Sequence, residues 1–234
     1  MGQKKLVRFA EIKAFTNVLE HPENMQGNWH SFFQNQASVT LELACGKGEY
    51  AVGLGRLFPN RNFIGVDIKG NRIWKGAKTA LTEQLNNVAF LRAEIDKINQ
   101  YFAKEEVAEI WITFPDPQLR LSKAKKRLTH PKFLRLYQQI LSGNGLVNLK
   151  TDSPDLYLFT KKVIGLFELE VLIDYDNLYA QPSLNPELYI KTHYESLDIA
   201  QSNRIHYLQF KINKDLPLEK DAILKQMLHE EAVD

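Results

Sequence analysis

The sequence predicts an α/β domain built on a mainly parallel sheet, with antiparallel strands added at its C-terminal edge. Two observations carry that reading. From residue 39 to about 165, short runs of apolar and β-favouring residues alternate with stretches whose apolar residues recur at helical spacing. Past residue 165 the helical spacing gives out. Two strand-like runs, 169–175 and 204–212, then flank a loop rich in Asn and Pro.

The elements follow in order. Residues 1–37 are mixed and partly basic (Lys4, Lys5, Arg8, Lys13), with 21–31 a loop marked by Pro22, Asn24, Gly27 and Asn28. They read as an N-terminal basic arm that packs as an extension. The main domain spans 38–213. Val39–Ala44 is its first strand, Cys45–Gly48 a tight turn, and Glu49–Phe58 a helix carrying Tyr50, Leu54, Leu57 and Phe58 on one side. Asn62–Asp67 is the second strand and Gly70–Leu85 an amphipathic helix ended by Asn86-Asn87. Val88–Leu91 is the third strand, followed by Glu94 and a short helix to about Phe102. Val107–Phe114 is the fourth strand, and His130–Leu141 a helix with Pro131 near its start. Gly145–Thr151 is the fifth strand, and Ser153-Pro154 opens the next helix. Residues 214–234 read as a polar C-terminal tail.

Composition sets the outer limits. A chain of 234 residues that is 44% hydrophobic can bury one sizeable core. The net charge is only +2, so any affinity for a polyanion must be local. Cys45 is the single cysteine, which excludes an internal disulfide and fits a reducing compartment. No apolar run reaches the ~20 residues of a membrane span. The basic N-terminus has no apolar segment behind it, and Leu6 stands where a myristoylation signal has Ser or Thr. The expectation is a cytoplasmic protein, with monomer and homodimer both open. The histidines lack metal-ligand spacing, so no metal is expected. Trp74 and Trp111 read as packing residues, Cys45 as a small filler, and Tyr194 and His206 as packing before base stacking.

In such a sheet, ligands bind beyond the carboxyl ends of the strands. Those ends carry Glu42, Asp67, Glu94, Asp116 and Asp152, an acid at each of five successive strands. Some acids there are helix caps as a rule, and Asp152 beside Ser153-Pro154 is the best case. The turn Gly46-Lys47-Gly48-Glu49-Tyr50-Ala51 formally fits a dinucleotide fingerprint, with Asp67 near the offset of a ribose-binding acid. Glu42 points elsewhere: a carboxylate just before the turn repels a pyrophosphate and suits a cofactor with an ammonium and a sulfonium. The fourth strand stops at Phe114-Pro115-Asp116-Pro117, where two prolines stiffen the turn and fix Asp116 above the sheet. From 117 to 150 there is no acid, while Arg120, Lys123, Lys125, Lys126, Arg127, Lys132, Arg135 and Lys150 are basic. One carboxylate therefore borders a field of cations, as suits an acid working beside a polyanion.

Together these motifs resemble the bacterial tRNA (guanine-N7)-methyltransferase family. Glu42-x-Ala44-x-Gly46-x-Gly48 has the form of the first S-adenosylmethionine motif, with Ala44 for a Gly. The family pattern F-P-D-P-W-P-K-x-x-H-x-K-R-R-L is met by 114–128, with Gln118 for Trp, Leu119 for Pro, Arg120 for Lys and Lys123 for His. Lys150-Thr151-Asp152 meets K-T-D, and Thr192-His193-Tyr194-Glu195 meets T-x-Y-E. The resemblance runs from about 39 to 212. It implies a Rossmann-like methyltransferase fold using S-adenosylmethionine and acting on tRNA, at the variable-loop guanine of tRNA position 46. It also implies a cofactor site of Glu42, Gly46, Gly48, Asp67, Glu94 and Asp116. Asp67 would take the ribose hydroxyls, Glu94 would lie beside adenine, and Asp116 is the catalytic position. Arg120, Asp152, Thr192 and Glu195 would bind the substrate nucleotide.

The chemistry agrees with these residue types. Guanine N7 carries an exposed lone pair, so no base has to remove a proton first. The site needs alignment and carboxylates where positive charge develops. Asp116 and Glu195 could accept from the guanine N1–H and amino group. Two rivals stay open: a nicotinamide-dependent oxidoreductase on the glycine fingerprint alone, and a tRNA-binding subunit without turnover.

Overall fold

The computed structural model describes residues 2–197 and 204–230. Its strands are β1 (Val18–Glu20), β2 (Val39–Leu43), β3 (Asn62–Val66), β4 (Val88–Arg92), β5 (Val107–Thr113), β6 (Leu141–Thr151), β7 (Glu170–Tyr175) and β8 (His206–Lys211). They form one sheet in the order β1-β4-β3-β2-β5-β6-β8-β7. Neighbours from β1 to β6 pair parallel, and β8 runs antiparallel to both β6 and β7. The helices are α1 (Gly2–Ile12), α2 (Trp29–Phe33), α3 (Glu49–Leu57), α4 (Gly70–Thr82), α5 (Pro131–Ile140), α6 (Pro154–Phe167) and α7 (Lys220–Glu230).

Every residue of β2 and β3 is buried, which is why these strands read as apolar runs without alternation. Side-chain alternation divides the core. Leu41, Leu43, Ile110 and Ile112 face Trp29, Phe133 and Tyr137 on one side of the sheet. On the other, Phe63, Phe90 and Trp111 meet Tyr50 and Leu54 of α3 and Ile73 and Ala77 of α4. From β2 the chain steps outward to β3 and β4, then returns as β5 on the opposite flank of β2. The switch point therefore lies between the carboxyl ends of β2 and β5. Gly48, with φ +68, leads from that gap into α3, and a Cβ there would lie 2.3 Å from the Phe90 ring. Only glycine meets both conditions.

Both ends of the described chain pack against the sheet and its helices. Residues up to 37 are built into the body. Ile12 of α1 is wholly buried, and its side chain and that of Phe9 lie against Gly70 at the start of α4. β1 extends the sheet by pairing with β4. Trp29, expected in a loop, belongs to α2; its indole N–H donates to Tyr101 O at 2.9 Å and its ring stacks on Phe102. At the other end, Leu216 and Leu224 are buried. Arg135 donates to Leu216 O (2.6 Å) and pairs with Asp221 (2.6 Å). Residues 231–234 of the expected tail lie outside the described residues. β6 also starts earlier than expected, at Leu141, and its register against β5 shifts between Val107 and Glu109 so that 142–145 bulge out.

Burial of Leu224 gives the docking of α7 a measurable weight. Leu224→Ala is expected to lower unfolding stability by about 2–4 kcal/mol in chemical denaturation. A loosely attached tail would leave it within about 0.5 kcal/mol of wild type.

Candidate active site

The five strand-end acids fall in sheet order along one rim. Glu94 follows β4, Asp67 follows β3, Glu42 is in β2, Asp116 follows β5, and Asp152 follows β6. The glycine turn sits at the centre. Ala44, Gly46 and Gly48 all have positive φ (56°, 56° and 68°), so the chain turns sharply. Gly46 N donates to Asp67 Oδ2 (3.0 Å) and Lys69 N donates to Asp67 Oδ1 (2.8 Å), which fixes that carboxylate against the turn.

Glu42 lies beneath the turn, 2% exposed. Its Oε2 accepts from Ala51 N in the first turn of α3 (2.8 Å), and its Oε1 accepts from Thr113 Oγ1 at the end of β5 (2.9 Å). Burial pushes its pKa up from 4.5 to about 8, and the neighbouring Glu49 and Asp67 act in the same direction. The Ala51 and Thr113 donors oppose the shift without cancelling it. The carboxyl thus holds its proton near neutrality.

Asp116 is exposed on the turn after β5, its Oδ1 accepting from Gln118 N at 3.0 Å. The turn is held from two sides. Phe114, at φ 47°, donates its N–H to Lys150 O (2.8 Å). Arg127 is buried and its guanidinium donates to Pro117 O (3.2 Å), Gln118 O (3.3 Å) and Leu119 O (3.4 Å), with the Phe159 ring 4.5 Å away. Glu94 is exposed and paired with Lys97 at 2.6 Å, so it shares the rim while pointing outward. Asp152 is half-buried beside Thr151, and the cap of α6 is not this acid but Ser153, whose Oγ accepts from Leu156 N at 3.2 Å.

The expected field of cations divides. Arg120, Lys123, Lys125 and Lys126 are exposed. Arg127 and Lys150 are buried, Arg135 is tied to α7, and Lys132 pairs with Asp96 at 2.9 Å. His130, between them, caps α5 by accepting from Lys132 N (3.0 Å); burial drives its pKa down to about 4, so it adds no charge.

The residues expected to bind the substrate nucleotide come from three places. Arg120 and Asp152 belong to the rim; Thr192 and Glu195 come from a segment folded over it. Tyr50 OH donates to Glu187 O (2.6 Å), and His193 N donates to Glu49 Oε2 (3.2 Å). Tyr194 lies over the glycine turn, its ring 3.7 Å from where a Cβ of Gly46 would be. Thr192 Oγ1 accepts from Glu195 N (3.2 Å). The Glu195 carboxylate faces inward, 4% exposed, and is bonded to Lys150 Nζ (3.0 Å) and to Tyr179 OH. It is not the open acceptor that the sequence suggests. Thr113, Tyr179 and the buried Lys150 escape a reading by sequence. The one available signal was the place of Lys150 inside a strand, β6, whose last five residues are all buried. Trp111 and His206 are packing residues: His206 is buried and stacked on Tyr157 at 4.5 Å. Among the described residues no group of three or more His, Cys, Asp or Glu is placed to hold a metal, and no helix is long and apolar enough to cross a membrane.

Comparison with known proteins places this geometry. A family model described as "Putative methyltransferase" matches residues 36–208, the span from just before β2 through the first half of β8. A tRNA (guanine-N(7)-)-methyltransferase of Bacteroides thetaiotaomicron is 42% identical over 95% of this chain and 91% of its own. One of Porphyromonas gingivalis is 45% identical over 88% of each. The chain belongs to the tRNA (guanine-N(7)-)-methyltransferase family. Among solved structures, the 16S rRNA methyltransferase KamB superposes with a TM-score of 0.60 at 14% identity, covering 81% of this chain and 94% of its own. At that identity the likeness is one of fold: a Rossmann-like methyltransferase sheet with an antiparallel C-terminal edge, as expected.

The buried Glu42 of this family member makes a pH prediction. For a carboxyl whose folded pKa is raised, stability is present in full below the unfolded value, 4.5, and is lost as pH rises through about 8. In urea unfolding from pH 5 to 9, wild type is expected to lose stability relative to Glu42→Gln, which can keep both hydrogen bonds without a charge. Parallel curves for the two proteins would mean that Glu42 is ionised throughout.

Proposed function

We propose that the protein transfers the methyl group of S-adenosylmethionine to N7 of a guanine in tRNA, at position 46 in the variable loop. The observation that carries this reading is the row of acids at the β4-β3-β2-β5-β6 rim with exposed Arg120, Lys123, Lys125 and Lys126 beside Asp116. It is supported by relatives named for that reaction at 42% and 45% identity.

The residues present fit the cofactor. Gly46 leaves an open face bounded by Tyr194, and Asp67 is fixed beside it with both oxygens oriented. The proton-holding Glu42 beneath the turn suits an ammonium, which would let the carboxyl ionise, and disfavours a pyrophosphate. When bound, S-adenosylmethionine supplies a methyl group on a positively charged sulfur. Gly46, Gly48, Asp67 and Glu94 would orient the nucleoside end; Glu94 would turn from Lys97 to do so. The exposed cations bring the RNA backbone to the rim, and Arg120 holds the substrate nucleotide. Asp116, stiffened by its prolines and by Arg127, is placed to accept from the guanine edge and to face the positive charge that N7 gains. Asp152 and the Thr192–Glu195 turn complete the pocket for the base. No residue needs to take a proton before the transfer. A guanine stacked in folded tRNA has to be loosened, and the rim acids then hold its exposed edge.

The decisive experiment incubates labelled S-adenosylmethionine with unmodified tRNA carrying a variable-loop guanine, beside the same tRNA with adenine there. Label recovered as N7-methylguanine in the first tRNA alone is expected. Label in both, or in neither with the cofactor bound, would move the target elsewhere. In the same assay Asp116→Asn is expected to lower kcat by about 10²–10³-fold. Near wild-type turnover would remove Asp116 from the catalytic position.

The exposed cations make a separate prediction. Replacing Lys123, Lys125 and Lys126 together by Ala is expected to reduce the slope of log affinity for tRNA against log salt by about 2–3. An unchanged slope would place the phosphate contacts on another face.

A further inference from the structure

Lys150 is wholly buried, in the strand that delivers Asp152. An ammonium taken out of water costs several kcal/mol unless its donors are met. Here they are met by three acceptors: Leu188 O (2.9 Å), Ile190 O (2.9 Å) and Glu195 Oε2 (3.0 Å), with Tyr179 OH at 3.3 Å. The rings of Tyr50, Tyr179 and Phe114 surround Nζ at 5.7, 5.6 and 5.9 Å. The backbone of the same residue accepts from Phe114 N, at the turn that leads to Asp116.

A fold that only had to fill this space would do so at less cost with Met or Leu. What the ammonium adds is direction. It fixes two carbonyls and one carboxylate of the 188–195 segment at a single point. That segment also carries Thr192 and lays Tyr194 over Gly46. One residue thus joins the turn bearing Asp116, the strand end bearing Asp152 and the segment bearing Glu195.

We propose that Lys150 is a positioning residue for methyl transfer. With Tyr179 on the other carboxylate oxygen, it sets Glu195 and the segment around it at the angle that the substrate guanine requires. This rests on the tRNA-guanine reading above. Phosphate contacts made by the exposed cations dominate tRNA affinity, so misplacement of the base is felt in the chemical step.

The test measures methylation of the tRNA transcript by Lys150→Met, Tyr179→Phe, Glu195→Gln and the pairwise combinations with Glu195→Gln. Rates are normalised to S-adenosylhomocysteine sites counted by titration, which removes any loss of folded protein. Lys150→Met is expected to lower kcat by about 10–100-fold with KM for tRNA within about threefold of wild type. Tyr179→Phe is expected to lower kcat by about 3–10-fold. Each combination is expected to be no slower than Glu195→Gln alone, because both residues act through that carboxylate. Combinations that multiply the single losses, or single variants with normal kcat per site, overturn the proposal. If Lys150→Met does not fold, Tyr179→Phe and its combination decide in the same way, since Tyr179 is 40% exposed and Glu195 keeps its Lys150 partner when the hydroxyl is removed. A wild-type protein that methylates no tRNA sinks the reading of function, and this proposal with it. An active wild type with unaffected variants sinks this proposal alone.

Discussion

The site depends on one buried carboxyl. Glu42 bridges Ala51 N and Thr113 Oγ1, and those two groups belong to the elements on either side of the switch point. Through Glu42 the start of α3 and the end of β5 are tied to β2, so the glycine turn and the Asp116 turn cannot move apart independently. A carboxyl 2% exposed is costly when ionised, and burial sets its affinity for a proton accordingly. The same residue is therefore a strut whose charged form is disfavoured by burial.

A second buried polar group extends this logic across the rim. Lys150 and Glu195 are 45 residues apart in the chain and 3.0 Å apart in space. Around that pair the 186–197 segment touches α3 through Tyr50 and Glu49, the glycine turn through Tyr194, and β6 through Lys150. The glycine turn and the end of β6 then share one covering element. Arg127 plays the corresponding part beneath 117–119, spending a buried guanidinium on three backbone carbonyls. Buried cations hold the two loops, while Asp116 and the exposed cations face outward.

How far the sequence disclosed this follows from the range of the interactions. β2 to β5 were legible because strands buried on both faces are apolar runs, and the acid row was legible because each acid closes such a run. Helix α1 was hidden by its three cations, Lys4, Lys5 and Arg8, which mask the Phe9 and Ile12 spacing. α7 was hidden because one buried leucine, Leu224, anchors an otherwise polar stretch. At the site, local chemistry was read correctly at the Pro-stiffened Asp116 turn and misread by one residue at the α6 cap. The inward facing of Arg127, Lys150 and Glu195 depends on contacts between distant segments. Residue type alone cannot report it: a lysine in a strand next to a basic run looks like one more phosphate contact.

That division of the cations bears on how an acidic rim can accept an RNA. Five carboxylates in a row would repel a polyanion at contact distance. Glu42 removes itself by holding its proton, Glu94 is neutralised by Lys97, and Asp152 is half-buried; Glu195, outside the row, is neutralised by Lys150. Asp67 is spent on two backbone donors. Asp116 is exposed on its turn, and it stands beside Arg120, Lys123, Lys125 and Lys126. Within a Debye length of about 8–10 Å those cations outweigh it. The approach surface beside Asp116 is then net positive. A net charge of +2 for the whole chain is compatible with this because the field is needed only at one margin.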